Sequence, residues 1–236
     1  MCLALSSRSA GRIVADAAVS LEVRKDPYAA LRFRIGTDSF LDWSSGRLPG
    51  ANANDSGNDM PASNSVLDLT QWVRDVPDYP KPGILFRDLT PLMADPVPMR
   101  YVTDLLTRHL DDVGAEAVAA IDARGFIFAA PVAVKAGIPF IPLRKSGKLP
   151  PAVIGADYEL EYGTARLEAR HDDLLAGKRV VIVDDLLATG GTAAAAVQLL
   201  KNLDAIVASC AFVVELLPLN GRARFEDVDV FSLLTY

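Results

Sequence analysis

Val180–Thr192 reads VVIVDDLLATGGT. Four apolar residues, Val180–Val183, predict a buried strand that ends at two adjacent carboxylates, Asp184 and Asp185. Four residues on, Thr189-Gly190-Gly191-Thr192 opens the alanine-rich stretch Ala193–Leu203, which predicts a helix. Paired glycines let backbone approach backbone or ligand with no Cβ in the way. Successive N–H groups at a helix N-terminus cradle a phosphate without any positive side chain, and the threonine hydroxyls add donors. The acids at the strand end then lie about one ribose length from that phosphate, where they can accept from sugar hydroxyls or hold a hydrated Mg²⁺. No lysine follows the glycines, so this is neither the lysine-bearing phosphate loop nor a G-x-G-x-x-G fingerprint. A Gly-Gly turn alone often just joins a strand to a helix, and paired acids are often just solvated. The combination is what carries the reading.

The same alternation extends outward from this stretch. Ahead of it, Val66–Arg74 has helical spacing, and three prolines within Pro77–Pro82 end that run. Asp95 is a candidate cap for a helix over Val97–Leu110, with Val102, Leu105, Leu106 and Leu110 on one face. Ala117–Ile121 and Phe140–Leu143 read as strands, Gly125–Lys135 as a helix, and Lys145–Asp173 as a polar excursion bearing Gly and Pro. Behind the motif, Ile206–Val214 is a longer β-branched run. Short apolar strands alternating with helices predict an α/β protein with a mostly parallel sheet covered on both faces. Ligands of such sheets sit beyond the carboxyl ends of the strands.

Composition narrows the function classes. The chain has 236 residues, is 50% hydrophobic, and carries a formal charge of −6, so no basic face for nucleic acid is expected. The seven basic and seven acidic side chains of the first 60 residues cancel, leaving the whole −6 to the remainder. Residues 44–65 have a linker composition of Gly, Ser, Asn, Asp and Pro. Ser20–Phe40 alternates weakly and predicts one or two short strands. Residues 1–64 are therefore expected to be an extension and linker, largely disordered, ahead of a catalytic domain over 65–236. The opening MCLALSSRSAGR is faintly similar to a transit peptide, but its apolar stretch Leu3–Leu5 is too short for a secretory signal. Cys2 and Cys210 suggest neither a disulfide framework nor a metal site, and a cytoplasmic setting is the default. Cys210 is expected in the core, His109 and His171 in structural or exposed positions.

The thirteen residues of the motif resemble the phosphoribosyl-diphosphate (PRPP) motif of type I phosphoribosyltransferases. Four further segments resemble the adenine phosphoribosyltransferase family, in consistent order from about Val66 to Tyr236. They are Pro80–Asp88 (PKPGILFRD), Asp122–Phe126 (DARGF), Arg144–Pro150 (RKSGKLP) and Glu159–Gly163 (ELEYG). The resemblance implies the type I phosphoribosyltransferase fold, with an N-terminal base-binding hood and a mobile catalytic loop. It implies transfer of phosphoribosyl from PRPP to adenine, giving AMP and diphosphate, with Mg²⁺ as cofactor and a homodimer as the assembly.

Site residues follow from the resemblance one by one. Phe86 stacks on the purine while main-chain groups of Leu85 and Arg87 read its edge. Ala188, Thr189, Gly190, Gly191 and Thr192 hold the 5′-phosphate, and Asp184 and Asp185 the ribose hydroxyls. Arg124, Arg144, Lys145, Lys148 and Tyr162 meet the diphosphate. Glu161 is the candidate for proton handling at the purine, with Asp185 as its rival, and Mg²⁺ is held mainly through PRPP with no dedicated protein ligand. A lid over Lys148–Arg170 is expected to exclude water. The lead of 60 residues has no counterpart in the family pattern, and Met60 is a candidate alternative start. Three other readings stay open at this point. They are a 6-oxopurine phosphoribosyltransferase, against which the hood argues; a PRPP-sensing regulator; and a noncatalytic diphosphokinase-type subunit.

Overall fold

The structure, a computed structural model, describes residues 32–35, 39–42, 66–160, 163–171 and 173–236. The chain divides into two units, Met1–Ser65 and Val66–Tyr236. In the first, β1 (Arg32–Ile35) pairs antiparallel with β2 (Ser39–Asp42), a pair of short strands in and just past the stretch where weak alternation predicted one or two. The opening segment, the 44–65 linker and Met60 lie outside the described residues.

The second unit begins where a helix was predicted, and the structure differs. Only a single 3-10 turn, Leu69–Trp72, forms there, with Asp68 accepting from the Thr70 amide at 3.1 Å and Leu69 buried beneath it. Beyond Trp72 the β-branched Val73 and Val76 and the fixed φ of Pro77 favour extended backbone. The chain accordingly forms β3 (Arg74–Pro77), which pairs antiparallel with β4 (Leu85–Asp88) as a separate two-stranded sheet. Two helices follow, α1 (Thr90–Ala94) and α2 (Pro96–Asp112), the latter capped by Asp95 accepting from the Val97 amide at 2.9 Å.

The central sheet then assembles from β5 (Ala117–Ile121), α3 (Arg124–Ala136), β6 (Phe140–Lys145), β7 (Val153–Leu160), β8 (Gly163–Arg170), β9 (Arg179–Leu187), α4 (Gly191–Lys201), β10 (Ile206–Glu215) and β11 (Val230–Thr235). Its order is β11-β10-β9-β5-β6-β8-β7. The five strands from β11 to β6 run parallel, while β8 and β7 add an antiparallel hairpin at one edge. Period-two alternation splits the core into two layers. Ala117, Ala119, Val180 and Ile182 pack with Ala196, Leu199 and Leu200 of α4. Val118, Ala120, Val181 and Val183 face the other way, onto Leu106 and Leu110 of α2 and Phe128 and Val132 of α3.

Successive crossovers leave by opposite faces. From β5 the chain passes through α3 to β6, and from β9 through α4 to β10. Between the carboxyl ends of β5 and β9 the winding changes direction, which makes this the switch point at which ligands of open α/β sheets bind.

Candidate active site

The segments that follow β5 and β9 meet at this switch point. After β5 come Asp122, Ala123 and Arg124, with a cis peptide between Asp122 and Ala123 and α3 starting at Arg124. β9 runs on to Leu187 rather than stopping at Val183, so both acids lie within the strand. Strict alternation would put adjacent side chains on opposite faces. However, Leu186 packs with the α2/α3 layer and Leu187 with the α4 layer, the reverse of what Val180–Val183 sets up. The pairing of β9 with β10 stays in register from Val181 to Leu187, and both carboxylates reach the start of α3. Asp185 Oδ2 lies 2.9 Å from Arg124 Nε. Asp184 Oδ1 accepts from the Asp185 amide at 2.9 Å, and a Cβ on Gly125 would stand 2.8 Å from that oxygen. Gly125 is required by this close approach.

Burial, and then the neighbouring Asp185 charge, push the Asp184 carboxyl well above its ordinary range. Burial also raises Asp185, with the Arg124 guanidinium opposing. Removing two adjacent acids from water disfavours a second negative charge. The pair therefore resists carrying two negative charges at once.

Beyond Leu187 the chain turns through Ala188, Thr189 and Gly190 into α4. Gly190 caps the helix at φ 79° with no side-chain hydrogen bond to its first turn. The leading amides of α4 are therefore not taken up by a cap, as an anion cradle needs. A Cβ on Gly190 would stand 2.1 Å from the Gly221 carbonyl oxygen. Gly221, in the loop after β10, is a part of the site that the motif does not reveal.

The predicted diphosphate cations fall into two groups. Arg144 Nε donates to Asp122 Oδ2 at 3.1 Å, and Lys148 Nζ lies 3.6 Å from the same oxygen. Asp122 thereby gathers two of them at the mouth of β5, an anchoring role not anticipated for it. Lys145 is exposed beside them. The turn that carries them is held by Glu168 of β8, which accepts from Ser146 Oγ at 2.7 Å and the Gly147 amide at 2.9 Å. These bonds hold the Glu168 carboxyl below the usual carboxylate range. Arg124 stands apart, on the Asp185 carboxylate. Glu161 and Tyr162, at the tip between β7 and β8, lie outside the described residues. Much of the excursion expected as a lid is the stem of that hairpin, with Leu167 and Ala169 in the core.

In the β3–β4 hairpin, Phe86 stands edge-on to Tyr79 with ring centroids 5.3 Å apart. Arg87 pairs with Asp75 and lies over the ring of the C-terminal Tyr236 at 3.9 Å. Leu85 and Arg87 are two apart on one strand, so their main-chain groups point to the same edge. His109 is structural: Nε2 meets Ser209 Oγ at 2.7 Å and the ring stacks on Phe231 at 4.2 Å. His171 is exposed. Cys210 is fully buried and its thiol is pushed up to about 12. A cleft of about 570 Å³ beside α4, lined by Asp157, Tyr158, Gln198 and Arg224, reaches this site only at Gly191.

Residues 99–234 match the phosphoribosyl transferase domain. The chain is 52% identical over 170 residues to adenine phosphoribosyltransferase of Thermosynechococcus vestitus, covering 72% of this chain and 100% of that one. It belongs to the adenine phosphoribosyltransferase family. A further relative, from Nitrosococcus oceani, is 54% identical over 168 residues, 71% of this chain and 98% of its own. Among solved structures, the family member from Thermoanaerobacter pseudethanolicus superposes with a TM-score of 0.69 at 45% identity, over 71% of this chain and 98% of that one. That of Saccharomyces cerevisiae, complexed with an imino-altritol bisphosphate and adenine, gives 0.68 at 37%, over 70% and 96%.

Proposed function

We propose that the chain transfers phosphoribosyl from PRPP to adenine, yielding AMP and diphosphate in purine salvage. The observation that carries this reading is the meeting, at one switch point, of two carboxylates with a glycine-opened helix start. In this reading Ala188–Thr192 hold the 5′-phosphate through amides and hydroxyls, and Asp184 and Asp185 take the ribose hydroxyls. Arg124, with Arg144, Lys145 and Lys148, faces the diphosphate, joined by Tyr162 of the hairpin tip. The bond from the ribose C1 to diphosphate breaks ahead of full bonding to the base nitrogen, so charge builds on the leaving group. Prepositioned cations and amides stabilise that charge more than they stabilise the ground state. Phe86 supplies a flat face for the purine, and Leu85 and Arg87 supply main-chain donors and acceptors along one edge.

The proton displaced from adenine passes to Glu161 or to the Asp184–Asp185 pair, of which Asp185 is the rival named from sequence. Hard oxygen donors suit Mg²⁺. The fit is to a cation that arrives with PRPP, where it neutralises diphosphate charge, with Asp184 and Asp185 nearest. A homodimer is supported by the outer face of α3, where Ile127 and Val134 are 43% and 84% exposed and spaced to share one stripe. A cytoplasmic setting is supported by the paucity of cysteine, and no helix among the described residues is long and apolar enough to cross a membrane. Residues 1–64 are proposed to be an appendage to the catalytic domain over 65–236. Incubating labelled adenine with PRPP and Mg²⁺ tests the reading: AMP and diphosphate should appear in equal amounts. No AMP under these conditions contradicts it.

A further inference from the structure

The loop that backs the phosphate cradle carries an ionic network, with Glu215 buried and Arg222 47% exposed, that has no place in the chemistry above. Glu215, at the end of β10, is 2% exposed. Its carboxylate takes both arms of Arg222, Nε at 2.5 Å and Nη2 at 2.6 Å, and a third bond from Ser232 Oγ at 2.7 Å. Arg222 Nη1 also donates to the Val230 carbonyl at 3.2 Å. A two-armed Arg–carboxylate pair fixes direction as well as distance, and here it pins the residue immediately after Gly221.

Gly221 is what the phosphate loop rests on. A Cβ at Gly190 would fall 2.1 Å from the Gly221 oxygen, and a Cβ at Gly221 would fall 2.4 Å from the Ala188 oxygen. The two loops therefore touch backbone to backbone, from both sides. Asn220 enters the turn at φ 49°, and Leu216 donates to the Leu187 carbonyl at 2.9 Å, joining the ends of β10 and β9. Loops are otherwise the mobile parts of such a sheet. An amide cradle works only if its N–H groups are aimed before the anion arrives.

We propose that Arg222, locked by Glu215 and Ser232, is a positioning residue that presses Gly221 against Ala188–Gly190 and so sets the affinity of the cradle for the 5′-phosphate. This rests on the reading that Ala188–Thr192 bind that phosphate. The arrangement predicts a selective effect: loosening the brace weakens ligands through their 5′-phosphate and spares ligands that lack one.

The experiment compares wild type, Arg222→Ala, Ser232→Ala and the double variant Thr189→Val/Thr192→Val. Calorimetry gives the Kd of ribose 5-phosphate, which carries the phosphate alone, and of Mg-diphosphate, which reports the opposite end of the site. Steady-state rates give KM for PRPP and for adenine. Arg222→Ala should raise the Kd of ribose 5-phosphate and the KM of PRPP about tenfold, ~1.4 kcal/mol. Its adenine KM and diphosphate Kd should stay within about twofold of wild type, since neither ligand reaches the cradle. Ser232→Ala, which removes one bond and leaves the ion pair, should show the same selectivity at smaller size and remains informative if Arg222→Ala does not fold. Equal weakening of both ligands, or a fall in kcat with both KM values unchanged, overturns the proposal. If the threonine variant weakens ribose 5-phosphate and neither brace variant does, the brace is wrong and the cradle stands. If ribose 5-phosphate binds all variants alike, the cradle reading itself fails, and the proposal with it.

Discussion

At the scale of single residues, Asp184 and Asp185 carry the heaviest claim. Replacing both by Asn keeps their shape and removes their charge. The double variant should fold, by circular dichroism and thermal melt, yet retain less than about a tenth of wild-type kcat/KM, a loss above ~1.4 kcal/mol. A folded variant with more activity than that contradicts the ribose-holding role. Asp184 alone makes a second prediction through its raised pKa. A carboxyl that binds its proton more tightly in the folded state gains stability from low pH, and that gain is lost as pH rises above the ordinary value of 3.8 toward the raised one. Asp184→Asn cannot ionise, so its melting temperature should exceed the wild type's at about pH 8, by a margin that shrinks toward about pH 5. A margin independent of pH would remove burial as the cause.

At the scale of elements, legibility followed the periodicity. β5, α3, α4 and β10 emerge from sequence within about two residues, since continuous apolar runs bounded by Gly and Pro leave few alternatives. Three features did not. The 66–74 helix gave way to one 3-10 turn and a strand. The β7–β8 hairpin hid within a polar excursion because the inward residues described there, Ile154, Ala156, Tyr158, Leu167 and Ala169, are interleaved with Asp157, Arg166 and Glu168. The approach of both adjacent acids, Asp184 and Asp185, to the start of α3 depends on packing that no local pattern encodes. In the site, Asp122, Glu168 and Gly221 escaped notice because each acts on a partner between about 20 and 30 residues away. Asp122 stood within a recognised motif but was given no role. The β3–β4 hood supplies the prediction for this scale. Phe86→Ala should raise KM for adenine by removing the stacking face, ~1–3 kcal/mol by analogy with base–aromatic stacking. Arg87→Ala should weaken catalysis without switching base preference, because main-chain groups do the reading. A switch toward hypoxanthine in that variant would instead place specificity in the side chain.

For the whole molecule, the Thermosynechococcus vestitus relative aligns over its entire length to 170 residues, 72% of this chain. Deleting residues 1–59 should leave activity and melting temperature nearly unchanged. A drop of several degrees would show that the lead contributes to stability, since ~1 kcal/mol moves Tm by ~2–4 °C at this size. The central claim is that this fold reads adenine. Adenine offers a 6-amino donor beside an N1 acceptor, and hypoxanthine offers the reverse pair, so a hood matched to the first leaves two buried groups unpaired with the second. The decisive measurement is kcat/KM for adenine and for hypoxanthine with saturating PRPP and Mg²⁺. The account predicts adenine favoured by ~10⁴-fold or more; comparable values for the two bases would contradict it.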